Sequence, residues 1–260
     1  MLYVVNFDDK QEIQENLYEF PYHHIPKYVN GNFSAIRAYR GSCHYIASMN
    51  FLISKINKIK FVKLLDVGCG DGKFLYEISR KDPSKTYVGI DYSKQAILLA
   101  TAMSPKIKFI CGDITQNELS LGTFNMITLI ETLEHIKPDL IPNVIKALYN
   151  HIENDGKVIV SVPSTNVATS PKHYQHFDLK SLKEALLPYF KIDEYYFVNK
   201  TTIEARIIKS LLINRFFALN HQSILNIMLK RYEAKSLHGD ENNSEGIFVI
   251  CSVNKDKEKK

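Results

Sequence analysis

The segment Leu64-Leu65-Asp66-Val67-Gly68-Cys69-Gly70-Asp71-Gly72-Lys73 constrains the fold more tightly than any other part of the chain. An apolar run ends in an acid, passes through three alternate glycines and enters a helical pattern. Glycine lets the backbone turn sharply and lets a ligand lie against bare main chain. The helix behind it offers unpaired N–H groups. A dinucleotide fingerprint needs a third glycine at position 73, where this chain has Lys73. A carboxylate such as Asp66 at the strand end also suits a cationic amino acid better than a pyrophosphate, because like charges repel.

From about residue 62, short apolar runs alternate with helical patterns, the signature of a parallel sheet covered by helices. Seven strands are expected, at 62–67, 86–91, 108–113, 124–130, 157–162, 192–198 and 246–253. Ser93 is placed to cap a helix through Ile97, Leu98 and Ala100, and Asp178 one through Leu179, Leu182 and Leu186. After Pro138, a helical stripe of Leu140, Ile141, Val144, Ile145, Leu148 and Tyr149 stops before the turn signal Asn154-Asp155-Gly156.

Two stretches lie outside the alternation. Residues 1–60 precede the first strand and are rich in aromatics, among them Phe20, Tyr22, His23, His24 and Tyr28. They are expected to fold over the site as an N-terminal helical lid, or to pack on the sheet. Residues 199–245 separate the last two strands with an apolar, basic helical pattern too long for a hairpin turn. This insertion is read first as a cap over the substrate end of the sheet. A dimer contact, or a membrane surface met by Arg206, Lys209 and Arg215, are the alternatives. The expected organisation is a lid at 1–60, one catalytic domain at 61–253 and a charged tail at 254–260.

Composition narrows the class further. The net charge of +5 is mild, and part of it sits in the last seven residues, with four lysines and two acids. The cysteines Cys43, Cys69, Cys111 and Cys251 match neither a metal knuckle nor a disulfide framework. The N-terminus meets acids within nine residues, and no apolar run reaches the ~20 residues of a membrane span. A soluble, cytoplasmic protein is expected.

Two further strand ends carry acids. Asp91 closes Val88-Gly89-Ile90-Asp91-Tyr92-Ser93, where a carboxylate can accept both hydroxyls of a ribose. Asp113 follows in Cys111-Gly112-Asp113-Ile114, placed to meet an adenine amino group, with Ile114 against the ring. In this order and spacing, the three blocks resemble the class I S-adenosylmethionine-dependent methyltransferase family over about residues 62–198. The resemblance implies a Rossmann-like α/β fold, a mostly parallel seven-stranded sheet of order 3-2-1-4-5-7-6 with the last strand antiparallel. It implies S-adenosylmethionine as cofactor. Gly68 and Gly70 would line its methionine part, Asp66 would sit near the amino group, Asp91 would hold the ribose, and Asp113 with Ile114 the adenine. Tyr92 and Ile130 would complete the cofactor surround.

The fourth strand runs into Glu131-Thr132-Leu133-Glu134-His135, and in the family this strand end faces the methyl group. Methyl transfer needs an aligned acceptor and, for a hydroxyl, a base. Glu131, His135 and, from the segment Lys172-His173-Tyr174-Gln175-His176, His173 are the catalytic candidates. A helical turn would bring Glu131, Glu134 and His135 to one face. With His176 they could bind a divalent metal, Mn²⁺, Co²⁺ or Zn²⁺ suiting mixed oxygen and nitrogen ligands better than Mg²⁺. Such a set resembles the metal-dependent small-RNA 3′-end 2′-O-methyltransferases. In the second block, however, the aromatic follows His176 directly and the chain has no Trp. The same Glu-x-x-Glu-His block resembles the ubiquinone-pathway O-methyltransferases.

Three functions compete: O-methylation of a small molecule such as a sugar or lipid-linked precursor, metal-dependent RNA 2′-O-methylation, and non-catalytic binding on the same fold. The first leads, because no basic run of the kind RNA requires adjoins the site.

Overall fold

The computed structural model describes residues 8–15, 27–29, 32–34, 42–116, 119, 121–212, 214, 216–217, 219 and 221–254. The aromatics at 20–24, the Tyr28 side chain, Arg215 and the tail from 255 lie outside the described residues. The helices are α1 (Asp9–Glu15), α2 (Ser42–Ile56), α3 (Lys73–Lys81), α4 (Lys94–Met103), α5 (Ile141–His151), α6 (Leu179–Leu186), α7 (Ile203–Leu212) and α8 (Gln222–Lys235). The strands are β1 (Lys27–Val29), β2 (Asn32–Ser34), β3 (Lys63–Val67), β4 (Thr86–Asp91), β5 (Lys108–Cys111), β6 (Phe124–Ile130), β7 (Ile152–Pro163), β8 (Phe190–Lys200) and β9 (Ser244–Val253).

Seven strands form one sheet in the order β5-β4-β3-β6-β7-β9-β8. Counted from the first strand of that sheet, this is the expected 3-2-1-4-5-7-6. Strand β9 runs antiparallel to both β7 and β8, while β3 through β7 are parallel. Alternate residues of each central strand feed opposite faces. Leu65, Ile127, Val158 and Val160 pack with Val144, Ile145 and Leu148 of α5. Leu64, Met126 and Ile159 pack with Ile53 and Ile56 of α2 and Leu75 and Ile78 of α3. Burial on both faces explains why these strands read as continuous apolar runs rather than alternating ones.

Helix ends follow local chemistry. Ser93 Oγ accepts from Ala96 N at 3.0 Å, and Asp178 makes a reciprocal capping box with Ser181 at the start of α6. Helix α5 stops at His151, before the expected turn signal. Asn154-Asp155-Gly156, however, lies inside β7, which starts at Ile152 and shifts register opposite Phe124 and Met126. There a Cβ on Gly156 would stand 2.9 Å from the Asn125 carbonyl, so the glycine serves a close strand approach. Leu140 precedes the first helical residue and is 45% exposed, outside the stripe its neighbours form. Strand β5 ends at Cys111, so Asp113 lies two residues beyond it. The N-terminal segment is not wholly helical: β1 and β2 pair antiparallel.

The insertion is a helical hairpin with a small core of its own. Ala205, Ile208 and Leu212 of α7 and Met228 and Tyr232 of α8 pack on Cys43 and Ala47 of α2. Asn199 anchors it at the end of β8. Its backbone is left-handed (φ 61°), a conformation asparagine tolerates, and it is 5% exposed. Its Nδ2 donates to Ser48 Oγ at 2.8 Å, and its Oδ1 accepts from the Tyr232 hydroxyl at 3.2 Å. Asn199→Ala orphans both partners and adds positive-φ strain. It is expected to destabilise the protein by roughly 2–4 kcal/mol, read as a lower midpoint in urea unfolding with unchanged slope.

Candidate cofactor and acceptor site

The carboxyl ends of β3, β4 and β6 meet where the sheet order reverses, the place where open α/β sheets take ligands. The turn after β3 is tied to β4: Gly68 N and Cys69 N both donate to the Ile90 carbonyl, at 2.8 and 3.1 Å. Gly68 has φ +72°, and a Cβ there would stand 2.4 Å from the Thr132 side chain, so glycine is required on both counts. Helix α3 then begins at Lys73, with Gly72 at its N-cap offering no side-chain cap.

Asp91 organises this turn from β4. Its Oδ2 accepts from Gly70 N and its Oδ1 from Ser93 N, each at 2.9 Å. Asp66 is 3% exposed, and its hydrogen-bond partner among the described residues is the neutral Thr128 hydroxyl at 2.7 Å. Burial, with the Asp91 charge adding to it, pushes the Asp66 carboxyl up to about 7. Burial likewise lifts Asp91 to about 6 against the pull of its two backbone donors. A buried carboxyl held above its ordinary range, with no cation beside it among the described residues, is a ready partner for an ammonium group. Tyr92 lies beside Asp91, close enough for the carboxylate charge to raise its hydroxyl beyond the effect of burial. Asp113 is exposed and turns one oxygen onto Thr115 N and Oγ1, both at 2.8 Å. Ile114 is 6% exposed and its side chain packs into the core. Ile130 is half-buried at the end of β6.

At the end of β6, Glu131 adopts φ 50°, unusual for a side-chain-bearing residue. The helical turn expected there is shorter, a 3₁₀ turn over Leu133–His135 that leaves Glu131 outside. The Glu131 carboxylate accepts from Ser161 Oγ of β7. It remains open to solvent by surface area, yet protein crowds it enough that desolvation raises its pKa. Glu134 is 1% exposed, and burial, then the Glu131 charge, holds it well above the ordinary carboxylate range.

The 171–177 loop closes over this edge. Tyr174 N donates to the Glu134 carbonyl at 2.8 Å, and His135 Nδ1 meets the Lys172 carbonyl at 3.1 Å. The His135 and His173 rings stand edge to face, centroids 4.7 Å apart. Burial and then the Lys172 charge depress His135 to about 4, and burial depresses His173 to about 3, so both imidazoles are neutral at pH 7. Ligand atoms of Glu134, His135 and His173 lie within 4.8 Å of one another. Of the expected metal set, Glu131 and His176 stand outside this cluster. His176 spends Nε2 on His173 Nδ1 (2.8 Å) and Nδ1 on the Val167 carbonyl (3.0 Å).

Helix α1 lies on the same edge. Lys10 Nζ donates to the carbonyls of Pro171 and His173 at 3.1 and 2.7 Å. Asp8 accepts from the Tyr174 hydroxyl and pairs with Lys137 at 2.9 Å. Sequence reasoning did not single out Thr128, Ser161, Lys172 or Lys10. They act through long-range contacts, which no local motif announces.

A sheet of this order, with an acid-and-glycine turn after its first strand, is the fold expected of the class I S-adenosylmethionine-dependent methyltransferases, and the chain is similar to members of that family. Residues 64–156 match the family model described as a methyltransferase domain. Carboxy-S-adenosyl-L-methionine synthase of Nautilia profundicola is 33% identical over 103 residues, 38% of this chain and 43% of that protein. Ubiquinone biosynthesis O-methyltransferase of Vibrio parahaemolyticus is 30% identical over 124 residues, 46% of this chain and 51% of the relative. The chain thus spans about half the length of these curated relatives or less. Among solved structures, N-methyltransferase NodS of Bradyrhizobium japonicum, in complex with S-adenosyl-L-homocysteine, aligns with a TM-score of 0.55 at 12% identity. That match covers 81% of this chain and 87% of NodS, a likeness of fold. No helix among the described residues is long and apolar enough to cross a membrane.

Proposed function

We propose that the chain binds S-adenosylmethionine along the ends of β3 to β5 and methylates a hydroxyl of a small molecule, such as a sugar or a lipid-linked precursor. The observation that carries this is the buried Asp66 carboxyl beside the glycine turn, with no cation paired to it among the described residues, one strand from Glu131 and the neutral histidines. When bound, the cofactor supplies an electrophilic methyl carbon on a sulfonium. Asp66 holds the amino group, the backbone at Gly68 and Gly70 admits the methionine part, and Asp91 accepts the ribose hydroxyls. Asp113 meets the adenine. Glu131, its basicity raised by desolvation, takes the proton from the acceptor hydroxyl, and neutral His135 and His173 accept hydrogen bonds that orient it. Helix α1, tied to the 171–177 loop by Lys10 and Asp8, supports the view of the N-terminal segment as a lid.

Asp66 sets the pH dependence. Its carboxyl titrates above the ordinary value of 3.8, so the folded chain holds protons that the unfolded chain has released. This group therefore costs the fold stability as pH rises from about 4 to 7. An ammonium ligand needs the ionised form. Affinity for S-adenosylmethionine is expected to weaken about tenfold from pH 8 to pH 6, with proton release on binding near pH 6.5, and Asp66→Asn should flatten the profile. A flat profile in the native chain would contradict the assignment.

A divalent cation is a second reading, favoured by Glu134. Its Oε2 is buried and has no hydrogen-bond partner among the described residues, beside two neutral imidazoles. These residues fit such an ion: Glu134, His135 and His173 would hold it, and it would acidify an acceptor hydroxyl. Melting curves with Mn²⁺ and with chelator test this. A rise in melting temperature with Mn²⁺ that Glu134→Gln abolishes supports the ion, and no shift removes it.

A further inference from the structure

Beyond the cofactor edge, the helical hairpin of α7 and α8 leaves an apolar face uncovered. Ile203 is 72% exposed, Ile207 53% and Leu211 49%, spaced four apart along one face of α7. Ile224 and Ile227 of α8 are 43% and 64% exposed, and Phe217 between the helices is 52% exposed. The Glu204–Arg231 ion pair crosses from α7 to α8. Helical spacing sets Ile207 next to Glu204, and Ile224 and Ile227 next to Arg231, so both rows border the same seam. The inner residues of each helix are already buried against α2, so this outer strip is surplus to the hairpin's own core.

Charge identifies its occupant. Residues 201–235 hold six lysines and arginines against two glutamates, a surplus of four in a chain whose total surplus is five. Lys209 is neutralised by Glu245 at 3.0 Å and Arg231 by Glu204. Arg206, Lys230 and Lys235 are exposed, with no ion pair among the described residues. A second copy would bring a like-charged hairpin against this one. A surface of anionic phospholipid offers phosphates to the basic side chains and acyl boundary to the isoleucines and phenylalanine.

We propose that the α7–α8 hairpin is a docking surface for anionic lipid bilayers. Its position is consistent with work at a membrane. Lys200 pairs with Ser244 and Pro163 with Gly246, so the hairpin springs from the sheet edge that carries the glycine turn and Glu131. The surface stands whether or not that edge transfers a methyl group.

Flotation of the full chain tests it, with vesicles of phosphatidylcholine alone and of phosphatidylcholine mixed with phosphatidylglycerol. Binding should be about tenfold or more tighter to the anionic vesicles and should fall as salt rises. It should drop about tenfold or more in Ile207→Ser/Ile227→Ser and in Arg206→Glu/Lys230→Glu, with binding of S-adenosylmethionine unchanged in both. Equal binding to both vesicle types overturns the proposal. So does a concentration-dependent dimer in light scattering that the isoleucine variant disperses while vesicles are ignored.

Discussion

Asp91→Ala is expected to leave a folded protein whose affinity for S-adenosylmethionine is lower by a factor on the order of 100 or more. Two effects act together. The backbone N–H groups of Gly70 and Ser93 lose their shared acceptor, so the turn that should meet the methionine part keeps its backbone bonds to Ile90 but loses the tie at Gly70. The carboxylate expected to accept two ribose hydroxyls is also gone. Hydrogen bonds to a charged group are worth about 1.5–3 kcal/mol each, and a 100-fold loss corresponds to about 2.7 kcal/mol. Stability should change far less than affinity. Burial raises Asp91 to about 6, so the native state already bears a cost for that charge, and removing it offsets part of the loss. Isothermal titration beside urea unfolding separates the two effects. Weak binding in a protein that melts early would point to a merely structural aspartate.

The second large effect concerns Glu131. Glu131→Gln is expected to lower the methyl-transfer rate by about 10²- to 10⁴-fold, the usual contribution of a positioned general base, with cofactor affinity unchanged. Two features point to a functional rather than a structural role. It sits at φ 50°, where most side chains are strained, and the protein crowded around its carboxylate raises its pKa against the pull of the Ser161 hydroxyl and the Lys172 charge. Neither helps the fold. Glutamine keeps the shape and the Ser161 contact but cannot take a proton, so the loss should appear in kcat rather than in KM. Single-turnover measurement with an acceptor that the native chain methylates would decide, and equal rates in the two proteins would assign the proton to another group.

Much of the fold was legible because its signals are local. Asp66, Gly68, Gly70 and Gly72 announce a strand, a turn and a helix within ten residues, and Ser93 and Asp178 announce their caps. The strand order came from the family resemblance, since no local pattern carries a crossover. The acceptor side was less legible. Spacings of three and four suggested a helix carrying Glu131, Glu134 and His135 on one face. The chain instead reverses at Glu131, and only Glu134 and His135 stay together. In the loop after β7, nothing in the order His173-Tyr174-Gln175-His176 tells which imidazole turns inward. Tertiary hydrogen bonds decide it, with Lys10 and Glu134 fixing the backbone around His173 and Val167 occupying His176. The hairpin of β1 and β2 did leave a trace, for Asn30-Gly31 is the two-residue signal of a tight β-turn. Asn154-Asp155-Gly156 misled in the opposite sense, because its glycine serves close strand contact rather than a loop.

Isothermal titration of the native chain with S-adenosylmethionine at pH 8 and pH 6 reaches the central claim most directly. One molecule should bind per chain with a Kd below about 0.1 mM at pH 8, and about tenfold more weakly at pH 6. An absence of binding at millimolar cofactor in the correctly folded protein would contradict the assignment of Asp66, Asp91 and the glycine turn to that ligand.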